Sequence, residues 1–244
     1  MSGRDHRAPG SVLVVPIVLR TAVTADSDLT ALVLEAIAEQ GEVLIEHDLL
    51  VVTSKVVAKC EGRVVPFDGS DESKLAIIEA ESRRILRRRG TLRITETRHG
   101  FVNANAGVDL SNTEPGTAVL LPVDPDRSAR RLRAALGHRC GVDLAVVITD
   151  TFGRAWRHGV TDVAIGAAGL RVVLDLRGTS DANGRTLEAT EVAIADEIAG
   201  AANLVLGKAS GTPFAIVRGL DASYFGTGSV AEDIVRPVNG DLFR

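Results

Sequence analysis

Apolar-rich blocks of two kinds alternate along the chain. Strand-length runs occur at SVLVVPIV (11–18), LLVVT (49–53), TLRIT (91–95), TAVLLP (117–122), DLAVVIT (143–149), RVVLDL (171–176) and PFAIVRG (213–219). Pro16 marks the first as an edge or a strand end, because proline has no N–H to give a ladder. Between these runs lie amphipathic stretches. Asp28 caps a helix whose apolar positions Leu29, Leu32, Val33, Ala36 and Ile37 keep helical spacing as far as Gly41. Residues 72–89 read as a helix with a basic end (Arg83, Arg84, Arg87, Arg88 and Arg89), a solvated face suited to the C-terminal dipole. Asp124-Pro125 opens another helix, which Gly137 closes, and 188–206 reads as the last. This alternation predicts an α/β (mixed α+β) fold over residues 11–244, preceded by a polar N-terminal tail at 1–10. No internal repeat, low-complexity tract or linker divides it.

Composition narrows the function classes. The 244 residues are 45% hydrophobic, enough for one large core or two small lobes. A net charge of −4 (28 basic against 32 acidic residues) gives no reason to expect nucleic acid or an anionic membrane as partner. No apolar run has the length of a membrane span or the pattern of a signal peptide, so the expected location is cytoplasmic. Cys60 and Cys140 follow neither metal-ligand nor disulfide-scaffold spacing and read as small buried hydrophobes of a reducing compartment. The phosphate loop G-x-x-x-x-G-K-[ST], the dinucleotide fingerprint G-x-G-x-x-G, H-E-x-x-H and the G-x-S-x-G elbow are all missing. Any site here belongs to a rarer type.

Three polar clusters invite a polyanion. In TSKVVAKCEG (53–62), Ser54, Lys55 and Lys59 follow a buried strand. A helical turn would put both lysines on one face, with backbone amides available to phosphate; the alternative is a strand end with solvated lysines. NANAGVDLSN (103–112) is rich in small residues and holds Asp109 and Asn112; it would suit either a hard cation approached closely by backbone or an ordinary Asx-turn loop. The stretch VVITDTFGRAWRHGVTD (146–162) reads as a strand that stops on Asp150 and Thr151. An acid and a hydroxyl there could hold Mg²⁺ against a nucleotide, with Arg154 and Arg157 gripping phosphate or carboxylate. In the alternative reading, Asp150 caps a turn and the arginines pair with Asp162. Trp156 and His158 read as packing and surface residues.

Together VVTSKVVAKCEGR, ITETRHGFVNANAGVDLSN, LLPVDPD, VVITDTFGRAWRHGVTDVAIGAAG and TEVAIADEIAGAANLV resemble the coenzyme F420:L-glutamate ligases, in order, from about residue 12 to about residue 219. The likeness is nearest to the actinobacterial enzymes, in which this domain is fused to a C-terminal flavin-binding, nitroreductase-like reductase. The resemblance implies two interleaved lobes in an intertwined homodimer. It also implies a GTP-dependent ligase that joins L-glutamate to the carboxylate of coenzyme F420-0 and then adds further glutamates by γ-linkage. Mg²⁺ or Mn²⁺, two ions in all, would serve it, with K⁺ in support. Carried over by residue, Asp109 and Asp150 would bind one divalent cation and Thr151 a second. Ser54, Lys55, Lys59 and Asn112 would contact GTP, as would the loop Arg20, Thr21, Ala22 and Val23, although IVLRTAV matches the family loop poorly. The loop GKASGT (207–212) offers no carboxylate to a second metal. No residue presents itself as general base. Two other readings use the same residues: a metal-dependent GTP phosphohydrolase and a non-catalytic GTP-binding module.

Overall fold

The computed structural model describes residues 10–111, 113–207 and 211–241. The apolar runs become a five-stranded sheet. Its members are β1 (Leu13–Ile17), β2 (Leu49–Thr53), β8 (Ala145–Gly153), β9 (Val160–Ala168) and β12 (Phe214–Arg218), in the order β1-β12-β2-β8-β9. β2 and β8 run parallel, and the other neighbouring pairs are antiparallel. All but the last residue of β2 and the first five of β8 are buried, which is why both read as continuous apolar runs. Pro16 lies on the edge strand β1, where a missing N–H costs least.

Helices cover this sheet. α1 (Leu29–Glu39) is capped by Asp28, whose side chain accepts from the Thr30 and Ala31 N–H groups. α4 (Pro125–Cys140) packs on β8 and β9 with α1 beside it, while α5 (Ile194–Leu206) packs across β1, β12 and β9. A smaller layer carries α2 (Ser54–Cys60), α3 (Asp71–Glu81), a β3–β7 pair (Val64–Pro66 with Thr117–Val119) and a β4-β5-β6 sheet (Ser82–Arg89, Leu92–Thr97, Val102–Ala104). β10 (Leu174–Asp175) and β11 (Glu191–Val192) form a short ribbon. The mixed α/β class is as expected. Among the described residues no helix is long and apolar enough to cross a membrane.

Several boundaries differ from the sequence expectation. The helix read over 72–89 ends at Glu81, and the arginine run is strand β4, paired with β5 from Ser82↔Thr97 to Arg89↔Leu92. Gly90 and Thr91 make the two-residue connection, with Gly90 at φ +56°. The arginines thus line an edge strand, where charge discourages edge-to-edge pairing. Gly137 does not close α4: the helix runs on to Cys140, and the left-handed residue is Gly141. The last helix starts at Ile194 rather than 188, because Glu191 and Val192 belong to β11. Only Leu174 and Asp175 of RVVLDL are strand. β8 extends past Thr149 to Gly153, and its partner β9 went unread because its small residues carry no strand-like pattern. Those small residues have a local cause. A Cβ on Gly166 would lie 2.3 Å from the Pro125 carbonyl carbon, so α4 can approach β9 only over glycine.

Candidate functional site

Several segments meet at one end of the sheet. Because β2 and β8 are parallel, their carboxyl ends coincide, with Thr53 beside Thr149. The loop leaving β1 meets the loop entering β12, where the Leu19 N–H donates to the Gly211 carbonyl at 2.9 Å. The Thr53 N–H donates to Pro213 O at 3.0 Å, tying in the end of β2. Ligands of open α/β sheets collect at such carboxyl ends.

Asp150 lies at this end but inside β8 rather than after it, paired across the ladder with Val163. Its Oδ1 accepts from the Ser54 hydroxyl at 2.9 Å. It is half-buried and densely surrounded by protein, and desolvation pushes its carboxyl up to about 7; the nearby charges of Asp162 and Asp109 push the same way, against the bonds from Ser54 and the Thr151 backbone. Ser54 is the first residue of α2, which begins directly after β2, so the helical reading of TSKVVAK holds. The next residue, Lys55, pairs with Asp109 Oδ2 at 2.7 Å and donates to Ser111 O at 2.6 Å. Consecutive residues therefore reach the two acids.

Asp109 is placed by its bridge to Val119 at the end of β7. The turn before it is tight, with positive φ at Asn105, Ala106 and Gly107 in succession. A Cβ on Gly107 would sit 2.7 Å from the Leu121 side chain, so the small residues of NANAG serve close packing within the chain. Burial alone would raise the Asp109 carboxyl, but Lys55 and the hydroxyl and N–H of Ser111 outweigh it and hold the group below its ordinary value. Asn112 lies outside the described residues.

Thr151 donates its hydroxyl to Asp162 Oδ1 at 2.6 Å. Asp162 is buried opposite Thr151 across the β8–β9 ladder. Recognising VTDVAIGAA as the return strand of a hairpin would have revealed it. Arg154 and Arg157 lie on the exposed hairpin between β8 and β9, where Arg154 donates to His158 O at 2.8 Å. Trp156, at that tip, is 92% exposed rather than packed. Lys59 is half-buried one turn beyond Lys55 on α2. Arg20 to Val23 leave β1 as a loop, and Arg20 pairs with Glu39 of α1 at 3.3 Å.

The site gathers hard oxygen donors (Asp150, Asp109 and Ser54) with a lysine, which is the donor chemistry of Mg²⁺ or Mn²⁺ and phosphate rather than of softer metals, while the Thr151 hydroxyl is turned to Asp162. Among the described residues no three acidic, His or Cys side chains already converge on one point. A cavity of about 270 Å³ is lined by Phe101, Phe152, Asp196, Val235, Arg236 and Val163, the ladder partner of Asp150, among others. Phe101 and Phe152 meet edge-on, with centroids 6.0 Å apart. Asp196 accepts from the Ala164 N–H at 2.9 Å, and burial pushes its carboxyl up.

A family model described as F420-0:Gamma-glutamyl ligase matches residues 19–219. A protein named Coenzyme F420:L-glutamate ligase from Methanothermobacter thermautotrophicus is 40% identical over 238 residues, 91% of this chain and 94% of that one. The protein of the same name from Methanopyrus kandleri is 43% identical over 247 residues, 94% of this chain and 96% of its own length. That of Methanocaldococcus jannaschii is 38% identical over 215 residues, covering 82% of this chain and 85% of the relative.

Proposed function

The chain belongs to the F420-0:gamma-glutamyl ligase family, and on that footing we propose that it joins L-glutamate to coenzyme F420-0 at the expense of GTP. A carboxylate does not acylate an amine until its oxygen becomes a good leaving group. In the proposed sequence the coenzyme carboxylate takes the γ-phosphoryl of GTP, giving an acyl phosphate and GDP. The α-amine of glutamate then attacks the acyl carbon, phosphate leaves, and the amine proton passes to solvent or a nearby base. Further rounds add γ-linked glutamates.

The observation that carries this reading is the convergence at one sheet end: Ser54 on Asp150 and its neighbour Lys55 on Asp109. Three anionic substrates must meet in a chain of net charge −4, so positioning and charge compensation carry the catalysis. Lys59 and Lys55 would face the nucleotide phosphates, with Ser54, Asn112 and the loop Arg20–Val23 around the rest. Asp109 and Asp150 would hold one divalent cation and Thr151 a second. Mg²⁺ or Mn²⁺ bound there would offset phosphate charge during transfer, with K⁺ as a supporting ion. Ser54 orients the Asp150 carboxylate through its hydroxyl, and Asp162 fixes the Thr151 hydroxyl so that its lone pairs remain open.

The proposal includes a homodimer. The small residues of 160–168 do not argue for it, because most of them are buried within the chain itself. A monomer by light scattering at micromolar concentration would remove that part. The test of the activity is GTP consumption measured with and without coenzyme F420-0 and L-glutamate. Consumption that needs both acceptors is expected. Consumption indifferent to them would make the chain a phosphohydrolase, and binding without turnover would make it a GTP-binding module.

A further inference from the structure

The wall of the 270 Å³ cavity carries two opposite charges that do not meet. Asp196 is the third residue of α5 and is half-buried; its Oδ1 accepts from the Ala164 N–H at 2.9 Å. Its Oδ2 has no hydrogen-bond partner among the described residues. Arg236 lines the same cavity, and its guanidinium makes no hydrogen bond or ion pair among the described residues, with Asp196 included. Asp241, also in the lining, has a partner of its own. Much of the remaining wall is apolar, with Phe101, Phe152 and Val163 among its members. A carboxylate oxygen without a donor in such a wall is poorly solvated, and burial pushes the Asp196 carboxyl up.

The strand register ties this cavity to the site. Val163 is the ladder partner of Asp150, and Phe152 follows Asp150 by two residues on β8, so both lie on the sheet face that Asp150 shares. Ala164, whose N–H holds Asp196, is the next residue of β9 after Val163. Strands lie ~4.8 Å apart and rise ~3.4 Å per residue, which puts the Ala164 N–H on the order of 10 Å from the Asp150 backbone. That span leaves room for a phosphoryl and an acyl group between Asp150 and an amine held by Asp196. Size limits the occupant as well. At about 270 Å³ the cavity is smaller than the ~300–1,000 Å³ typical for drug-sized ligands, too small to enclose a nucleotide and ample for an amino acid.

We propose that this cavity is the subsite of the incoming amino acid: Asp196 Oδ2 accepts from its α-ammonium, Arg236 donates to its side-chain carboxylate, and the apolar wall covers the carbons between. This rests on the ligase reading above. Of the reactants which that reading requires, glutamate alone brings a cation; the phosphates of GTP and the coenzyme carboxylate would be repelled by Asp196. Because Asp196 and Arg236 do not touch, they suit charges held apart by a short aliphatic chain.

The test compares wild type with Asp196→Asn, which keeps an oxygen for the Ala164 N–H and removes the charge, and with Arg236→Gln. Steady-state kinetics give KM for L-glutamate and for GTP separately. Calorimetry in the presence of Mg²⁺ and a non-hydrolysable GTP analogue compares binding of L-glutamate, of glutarate (which lacks the amine) and of L-glutamine (which lacks the side-chain charge). In each variant the glutamate KM rises roughly ten- to a hundredfold, while the GTP KM stays within about twofold. Wild type prefers glutamate to both analogues. Asp196→Asn loses the preference over glutarate, and Arg236→Gln loses the preference over glutamine. Preferences unchanged in both variants overturn the inference, as does a shift in GTP KM instead of glutamate KM. A lowered melting midpoint with the preferences intact also overturns it, because the two side chains would then serve the fold alone. Wild type that binds glutamate with these preferences yet forms no amide would defeat the ligase reading and leave this inference standing. Ligation indifferent to both residues would defeat this inference alone.

Discussion

Two carboxylates stand at opposite ends of the parallel pair β2 and β8, and the protein treats them differently. Asp48 precedes β2 at its amino end and is fully buried. Arg218 grips it at two points, Nε to Oδ1 and Nη2 to Oδ2, each at 2.7 Å, and the Ile45 N–H donates to it at 2.9 Å. Asp150, near the carboxyl end of β8, is met among the described residues by a hydroxyl from Ser54 and has other carboxylates near, and burial pushes its carboxyl up to about 7. One charge is settled within the fold and closes the sheet. The other is not paired with a cation among the described residues, which is the arrangement the proposed divalent cation would complete.

The largest effect should come from removing the unsettled charge. Asp150→Asn and Asp109→Asn should each lower ligation by on the order of a thousandfold, with the melting midpoint of Asp150→Asn not reduced. Turnover assays and thermal melts check this, and near-normal turnover at saturating Mg²⁺ would sink the assignment. At the other end the pattern should reverse. Asp48→Ala strands Arg218 without its main counter-charge and should cost about 3–5 kcal/mol of stability by denaturant titration. The KM values of the enzyme that remains folded should not change.

Acid titration sharpens the same contrast. With Asp150 near 7 in the folded chain and about 3.9 unfolded, the folded state holds the extra proton between those values. Stability from this group is therefore full below about pH 4 and falls as pH rises toward 7, by no more than about 1.4 kcal/mol per unit. Asp150→Asn should remove that slope; an identical pH profile of unfolding in the two proteins would contradict the shifted carboxyl. The smallest expected effect is at Lys59. Lys59→Ala should raise the GTP KM roughly ten- to a hundredfold and spare glutamate. A shift in glutamate alone would move Lys59 to the acceptor side.

The sequence showed the settled parts of the fold more clearly than the site. β2, the start of β8 and the Asp28 cap were legible because burial and capping act over a few neighbouring residues. Ser54, Lys55, Asp109 and Asp150 were visible as polar breaks after apolar runs, and the structure brings them to one end of the sheet. The basic strand β4 was not legible, since its arginines favour helix as readily as strand and its pairing with β5 decides the matter. β9 was hidden because packing against α4 requires glycine and alanine where strands usually show Val or Ile. Asp162 was lost with it. Asp196 looked like one more acid of a helix, because the cavity it lines is a property of the packed molecule alone.

The most direct test of the account is the mass of coenzyme F420-0 after incubation with wild-type protein, GTP, Mg²⁺ and L-glutamate, with GDP counted in the same sample. The account predicts a coenzyme heavier by one or more glutamyl residues, one GDP for each residue added, and neither product when glutamate or coenzyme is left out. GDP formed at the same rate without any glutamyl adduct would contradict it.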